Sequence, residues 1–591
     1  MNRQQNAEQP LAISSTKKRA KSRAAKARPA PGSNEPPNSG STNCTTRKGT
    51  KREIWAADSE TDPFKAGRIP APFIWGAFNG SQYYEFATVA EFVAFFVDRE
   101  CIVYAHNGGK FDWHFLLDYL TPWAPLMVIA GRLAKFKIGK AEFRDSYSIM
   151  PMPLSAYKKD EIDYSIFEPG ERDKPENRAL IREYLRSDCV YLFELLSTFI
   201  DEFGMHLTLA GASMKAYERI TGNKAPETTA DFYDCIAPYY YGGRVQVFEA
   251  GEITRPFKVV DINSAYPWAM MHEHPTGDVI TAGDALPELR ADVGRCFITL
   301  DAVSTGCFPF RAKDKSLRFP ADRLRRVFTV TGWEYLAAVD TGTLEDARVL
   351  KVLSLPGRVE YSAYLNHFYE MKTTAKRQGD KARYEFSKRF LNSLYGKHGA
   401  NPEEYHEFTV VSPANVDAAE QSDGYQFAAL AGKWALVSRP LQEERRRYYN
   451  VATAASITGF VRAMLWRAIR GARGVIYCDT DAIMCEDPGN LQLDPERLGM
   501  WDVEAVCDYG AIAAKKLYAI RTDKINKDKE SPDYGKPVWK TACKGVKLTA
   551  AEIVRVAQGE RVKFFPQAPT FSLKRGIEFT PRNVARTTPE D

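Results

Sequence analysis

The sequence predicts a multidomain protein of mixed α/β and α+β architecture, on three observations. A chain of 591 residues is long enough for several domains with ample core. Apolar runs of strand length recur and carry carboxylates at their ends, at 53–60, 258–261 and 475–481. Longer helical patterns alternate with them, at 181–196 and 381–397. Hydrophobic residues make up 44% and aromatics 12%, as in an ordinary globular protein. No apolar stretch approaches ~18 residues and no apolar run opens the chain, so neither a membrane span nor a secretory signal is expected. The ten cysteines show no Cys-x-x-Cys spacing and fall mostly inside apolar runs. They read as reduced core thiols of an intracellular protein, in the host cytoplasm or nucleoid.

Charge is unevenly placed. Residues 1–52 hold 12 Lys/Arg against two Glu, a net of +10, which leaves −4 for the rest of a chain whose total is +6. The basic run 17–28 and the Pro/Ser/Asn/Gly stretch after it cannot bury enough apolar surface to offset chain entropy. Residues 1–52 are therefore expected to be a disordered tail, solvated, attracted to phosphates or used for targeting. Any polyanion-binding surface on the body must be a local basic groove.

In order along the chain, 53–61 is an apolar strand ending in Asp58-Ser-Glu60-Thr61. A second strand, 101–105, runs into His106-Asn107-Gly-Gly-Lys-Phe111-Asp112, a glycine turn opening a helix. In the helix 181–196, Tyr184 and Asp188 are four residues apart and share a face. Four carboxylates from these elements (Asp58, Glu60, Asp112 and Asp188) suit two divalent cations that activate a water against a phosphodiester, with Tyr184 orienting the water.

The second half repeats that logic. Tyr240-Tyr-Gly242-Gly243-Arg244 offers close backbone approach, with tyrosine and arginine for sugars and phosphates. The strand 258–261 ends in Asp261, and the turn after it carries Ser264 and Tyr266, placed for a triphosphate and a sugar. On the helix 381–397, Lys388, Asn392 and Tyr395 form one stripe, while Phe386, Phe390 and Leu394 form another; Gly396 is read as its stop. Lys372 and Lys376 lie upstream as further phosphate contacts. The run 475–484 reads as a hairpin with Asp479 and Asp481 at its tip, two acids that strand alternation would aim at one metal. Lys516 and Tyr518 follow in a strand and can reach a nucleic-acid backbone, as can Lys544, Lys547, Lys574 and Arg575.

These motifs resemble those of family B DNA polymerases. Asp-x-Glu, Asn-x-x-x-Phe-Asp and Tyr-x-x-x-Asp match the three exonuclease motifs; Tyr-x-Gly-Gly, Asp-x-x-Ser-x-Tyr-Pro, Lys-x-x-x-Asn-Ser-x-Tyr-Gly, Tyr-x-Asp-Thr-Asp and Lys-x-Tyr match palm and fingers. The nearest likeness is to the protein-primed branch of linear-genome phages, adenovirus-like viruses and linear plasmids. The resemblance implies an RNase H-like 3′–5′ exonuclease domain followed by a right-hand palm, fingers and thumb. It implies Thr61, His106, Asn107 and Phe111 on a frayed 3′ end, Lys159 as a catalytic lysine of the exonuclease, and Tyr240, Gly242, Gly243, Arg244, Lys397, Lys516 and Tyr518 on DNA. Two Mg²⁺ (or Mn²⁺) are expected at Asp261 and Asp479, with Asp481 closer to an outer ligand, and two divalent metals at the exonuclease acids. Substrates would be dNTPs and template/primer DNA, and the partner a separate terminal protein whose hydroxyl primes synthesis. Departures are Ala265 and Ala482, neighbours of the acids, where Leu and Ser are usual.

The corresponding domain plan is a tail to 52, exonuclease 53–205, palm 206–271 and 436–545, a terminal-protein-type insertion 272–362, fingers 363–400, a second insertion 401–435 for strand displacement, and thumb 546–591. Two rivals are a family B polymerase using nucleic-acid primers and an exonuclease without synthesis.

Overall fold

A computed structural model describes residues 44–45, 51–442, 447–529 and 531–587. Most of the expected tail lies outside the described residues. Its last two positions do not: Lys51 and Arg52 begin the first strand and pair with the short strand Cys44–Thr45.

The N-terminal domain is built on strand β1 (Lys51–Thr61), followed by β2 (Pro72–Phe78), β3 (Tyr83–Phe86), helix α1 (Val89–Phe96), β4 (Cys101–Ala105), β5 (Pro125–Ile129), β6 (Arg132–Ile138) and β7 (Ala141–Asp145). β1 pairs in parallel with β4, and β4 with β7, while β2, β3, β5 and β6 run antiparallel to their neighbours. The buried Ile54–Ala57 and Cys101–Ala105 runs explain why these strands read as continuous apolar segments. Helix α2 (Pro175–Phe203) opens with Pro at its first position and closes on Gly204. It crosses β2 so closely that a Cβ on Gly76 would lie 2.9 Å from Leu185 Cγ. Helix α3 (Leu209–Thr221) follows.

The chain then enters a second sheet through β8 (Val245–Val247), β9 (Gly251–Ile253) and β10 (Phe257–Ile262), turning into helix α4 (Ala265–Met270). An excursion follows whose base is closed by the strand pair His274–Thr276 and Gly357–Val359. It contains β11 (Thr281–Gly283), β12 (Phe297–Val303), β13 (Arg325–Thr331), helix α5 (Gly332–Asp340) with a Thr331/Glu334 capping box, and β14 (Arg348–Ser354); the strand order is β11-β14-β12-β13. Helices α6 (Ser362–Gln378) and α7 (Lys381–His398) form an antiparallel pair. α7 runs past Gly396, whose surroundings are open, and ends at Gly399.

A second excursion, β15 (His406–Val411), β16 (Gln426–Ala431) and β17 (Trp434–Pro440), does not stand alone. β15 pairs with β5, Phe408 opposite Leu126, so the N-terminal sheet runs β16-β17-β15-β5-β6-β7-β4-β1-β2-β3. Helix α8 (Val451–Gly471), capped by Asn450, is buried on nearly every face, as a helix apolar all round must be. β18 (Arg473–Asp479), β19 (Ala482–Asp487), β20 (Trp501–Ala514), β21 (Leu517–Ile525) and β22 (Pro537–Cys543) complete the second sheet in the order β22-β21-β20-β10-β19-β18-β8. Helix α9 (Ala550–Ala557) and two small strand pairs end the described chain. Among the described residues, no helix is long and apolar enough to cross a membrane.

Candidate catalytic sites and nucleic-acid interface

β1 supplies Asp58 and Glu60, two residues apart on one face, and α2 supplies Asp188. One carboxylate oxygen from each lies within 4.8 Å of the others, the one such set of three among the described residues. Glu60 Oε1 and Asp188 Oδ1 are buried with no hydrogen-bond partner. Orphaned buried oxygens on converging acids are the donor set a divalent cation would satisfy, so these residues fit a metal. Burial, then Asp188, push Glu60 up to about 8, and burial, then Asp112, Glu60 and Asp188, push Asp58 well up. Lys159 Nζ stands 3.1 Å from Asp188 Oδ2. Burial works against its charge, but Asp188 and Asp58 hold it above the ordinary lysine range.

Asp112 stands apart from that set. It accepts a 2.5 Å bond from Ser59 Oγ, and burial raises it to about 6. Three of the four expected acids thus converge, and the fourth is anchored beside them. The Tyr184 hydroxyl is 2.9 Å from that of Tyr164, a residue outside every motif; an aromatic hydroxyl in the short 3₁₀ turn Tyr164–Phe167 carries no sequence signal of its own.

The turn carrying the second motif is shaped by its glycines. A Cβ on Gly109 would meet Leu133 O and Arg132 Cγ, and one on Gly108 would meet the Trp113 ring. Asn107 is left-handed, φ 66°, and its Oδ1 accepts from Arg132 Nη1 at 2.7 Å. Both ring nitrogens of His106 are spent, Nδ1 on Ser146 Oγ and Nε2 on Met152 O, and burial lowers its pKa. Its ring nitrogens are thus both engaged within the protein. Phe111 packs edge-on to Phe64, Phe115 and Phe571, the last from the C-terminal hairpin. Thr61 closes β1 and bonds the Asp62 carbonyl.

In the second sheet, Asp261 lies opposite Ala482 across β10 and β19. The tip between β18 and β19 is tight: Thr480 has φ 62°, its N–H donates to Arg244 O, and Ile262 N–H donates to Asp481 O. The turn breaks the strand alternation that would aim Asp479 and Asp481 at one point. Burial, then Asp481 and Glu504, push Asp261 up to about 7; burial, then Asp479, push Asp481 up to about 6. Asp479 instead receives Lys516 Nζ on both oxygens, at 2.7 and 2.9 Å. The acid that acts on Asp261 is therefore Asp481, while the oxygens of Asp479, the acid expected to partner Asp261, are engaged by Lys516. Two raised carboxyls facing one another again fit a divalent cation.

Two of the expected nucleotide residues, Tyr266 and Tyr395, lie close enough to Asp481 to feel its charge. Ser264 is left-handed, φ 54°, and bonds Asn263 Oδ1. The Tyr266 and Tyr395 rings stack in parallel, 4.3 Å apart. Lys388 and Asn392 are exposed on the same stripe of α7, whose other face buries Phe386, Phe390 and Leu394. Lys372 is lowered by burial and then by Lys388 and Lys376, which puts three ammonium groups in one cluster.

Several expected DNA contacts turn inward. Arg244 is fully buried, donates to Gly306 O and Gln246 Oε1, and lies between the Phe319 and Trp466 rings. Burial lowers it to about 10. Its guanidinium is thus spent inside the protein, on Gly306, Gln246 and two aromatic rings. Lys397 bonds the Tyr405 hydroxyl, and burial lowers it to about 8. Tyr518 is buried edge-on to Tyr477. Tyr240 is half-buried against Gly399, where it leaves no room for a Cβ. Gly242 stays exposed, while a Cβ on Gly243 would lie 2.8 Å from the Thr480 side chain. The buried pair Arg462–Glu334, missed in the sequence because each sits in an apolar helix, holds the carbonyls of Tyr241 and Gly242.

The family model of DNA polymerase type B, organellar and viral, matches residues 152–426. The DNA-directed DNA polymerase of Enterobacteria phage PRD1 is 35% identical over 92% of this chain and 99% of its own. The DNA polymerase of Bacillus phage phi29 is 23% identical, over 79% of this chain and 86% of its own. The solved structure of phi29 DNA polymerase with primer-template DNA and incoming nucleotide superposes with a TM-score of 0.68 at 19% identity, covering 91% of this chain and all of that one. That likeness gives the fold: an exonuclease-type α/β domain followed by palm, fingers and thumb. The near-complete match at 35% identity gives more, and the chain belongs to the organellar and viral type B DNA polymerases and is a DNA-directed DNA polymerase.

Proposed function

We propose that this polymerase proofreads with a 3′–5′ exonuclease, displaces the non-template strand, and starts a linear genome from the hydroxyl of a separate terminal protein. The observation that carries the catalytic reading is the pair of acid sites, each on its own sheet, with the Tyr266–Tyr395 stack beside Asp481 and the lysine cluster on the helix that carries Tyr395 and the helix before it. In synthesis, Asp261 and Asp481 hold Mg²⁺ (or Mn²⁺), and Lys516 fixes Asp479 beside them. Lys372, Lys376 and Lys388 grip the triphosphate. Tyr266 lies under the sugar, where its ring leaves no space for a 2′-hydroxyl, and Tyr395 and Asn392 meet the nascent base pair. In proofreading, Asp58, Glu60 and Asp188 hold the metal, Asp112 flanks them, Tyr184 orients the water, and Lys159 steadies the charge beside Asp188. When bound, divalent metals supply nucleophile activation and charge neutralisation at the leaving oxygen. Protein priming is supported by the family resemblance, by the near-complete alignment with the PRD1 polymerase, and by two long excursions in the chain, one before α6 and one between α7 and α8.

The test is dNMP incorporation with Mg²⁺ on a primed single-stranded circle. Wild type extends past one circle, Asp188→Ala extends without degrading the primer, and Asp481→Ala degrades without extending. Loss of both activities in either variant would mean one shared site and would end the two-site reading. Transfer of labelled dNMP to a terminal protein decides priming; incorporation only on nucleic-acid primers supports that rival.

A further inference from the structure

Against the turn of the second exonuclease-type motif stands a cation that no motif assigns, Arg132. Arg132 opens β6 directly after the tight turn of Ala130 (φ 50°) and Gly131 (φ 68°). Its Nη1 donates to Asn107 Oδ1 at 2.7 Å and to Asp145 Oδ2 at 2.8 Å, and the Asp145 side chain is completely buried. The guanidinium also lies over the Tyr147 ring at 4.4 Å, and that ring stands 5.7 Å from His106. Lys110 Nζ bonds Gly131 O, so the hairpin tip grips the motif turn at two places. The glycine at 109 leaves the space in which the Arg132 stem lies.

The consequence falls on Asn107. A non-glycine residue at φ 66° is held in a sparsely populated conformation. A left-handed asparagine usually bonds its own backbone, but Asn107 makes no cap bond, because its carbonyl oxygen is taken by Arg132. Only Nδ2 remains to be offered, so the amide is presented as a donor. We infer that Arg132 is a positioning residue of the exonuclease: it locks the Asn107 amide as a hydrogen-bond donor toward an acceptor oxygen or nitrogen of a single-stranded 3′ end. His106 has no free nitrogen, so Asn107 is the polar contact that this turn provides. The inference rests on the exonuclease reading above for what it serves.

The experiment separates the two. Binding of a short 3′-labelled oligothymidylate is measured in EDTA by anisotropy, and its hydrolysis in Mg²⁺ by steady-state kinetics. The proteins are wild type, Arg132→Lys, Arg132→Met, Asn107→Ala and the Arg132→Lys/Asn107→Ala double variant. Arg132→Lys keeps a cation on Asp145 and so guards against simple misfolding. Loss of one charge-assisted hydrogen bond is expected to weaken binding and raise KM by about 10- to 100-fold, with kcat changed only a few-fold. The double variant is expected to bind no worse than Asn107→Ala. Melting temperature and dNMP incorporation should stay at wild-type levels in Arg132→Lys. Unchanged binding in both Arg132 variants, or additive losses in the double, would overturn the inference. Weakened, non-additive binding with no hydrolysis even in wild type would keep Arg132 as the positioning residue of a strand-binding site and overturn the exonuclease reading instead.

Discussion

Asp261 is raised to about 7 and Glu60 to about 8 by burial and acidic neighbours, while an unfolded carboxyl ionises near pH 4. Between those values the native state binds protons that the unfolded state has released. Stability must then fall as pH rises through the window, the reverse of the usual salt-bridged carboxylate. In EDTA the melting temperature is expected to drop between about pH 5 and pH 8.5, and Mg²⁺ is expected to restore it most at the high end. Calorimetry across that range checks this, and a melting temperature that climbs with pH in EDTA would refute the electrostatic reading of both sites. The acids were legible in the sequence only as a set, because each strand-end carboxylate alone is common and it is their recurrence in matching motifs that singles them out. Their pairing was not, since the left-handed Thr480 turns Asp481 away from the strand alternation that Asp479 obeys. Arg244 misled for a related reason: Gly-Gly-Arg reads as a surface loop until Phe319 and Trp466, distant in sequence, close around it.

Single elements were readable where their own periodicity set them apart. The stripe of Lys388, Asn392 and Tyr395 against Phe386, Phe390 and Leu394 defined both faces of α7 before any partner was known. Its end was misplaced, because Gly396 fits inside a helix with open space beside it, and the chain turns only at Gly399. The partner of β15 was beyond any local pattern. Thr409 donates to Ala124 O across 285 residues, Trp123 N–H bonds Val410 O, and Val410 is fully buried in the core of the N-terminal sheet. The second excursion is thus a continuation of the N-terminal sheet, inserted in sequence between α7 and α8. Val410→Ala is expected to cost about 2 kcal/mol, the worth of a buried valine side chain. Hydrogen exchange should then show lost protection in β5 and β6 with β18 and β19 unchanged. Lost protection in the palm strands instead would mean that the excursion is held by the palm.

At the scale of the whole molecule, the order of the two sites was legible, since each motif set occupies its own half of the chain. How they are joined was not, because the join is aromatic packing between segments nearly two hundred residues apart. Helix α2, 29 residues and so about 43 Å long, carries Asp188 near its middle and Phe199 and Phe203 near its end. Phe203 stacks on Phe390 of α7 at 4.4 Å, and Phe368 of α6 stacks on the same Phe390 ring at 4.6 Å. One rod therefore braces the converging acids at one point and helix α7 at another, about 22 Å away along its axis. Phe390→Ala would open a cavity under the stripe of Lys388 and Asn392, at a cost of about 3–5 kcal/mol. Asp188 lies too far along the rod to feel it, but the triphosphate grip does not. The dNTP concentration at which extension balances degradation should rise about tenfold, while hydrolysis of single strands stays at the wild-type rate. A titration of dNTP against primer length measures that balance. If stability falls while the balance stays where it was, α2 joins the two domains mechanically without setting how a primer end is shared between them.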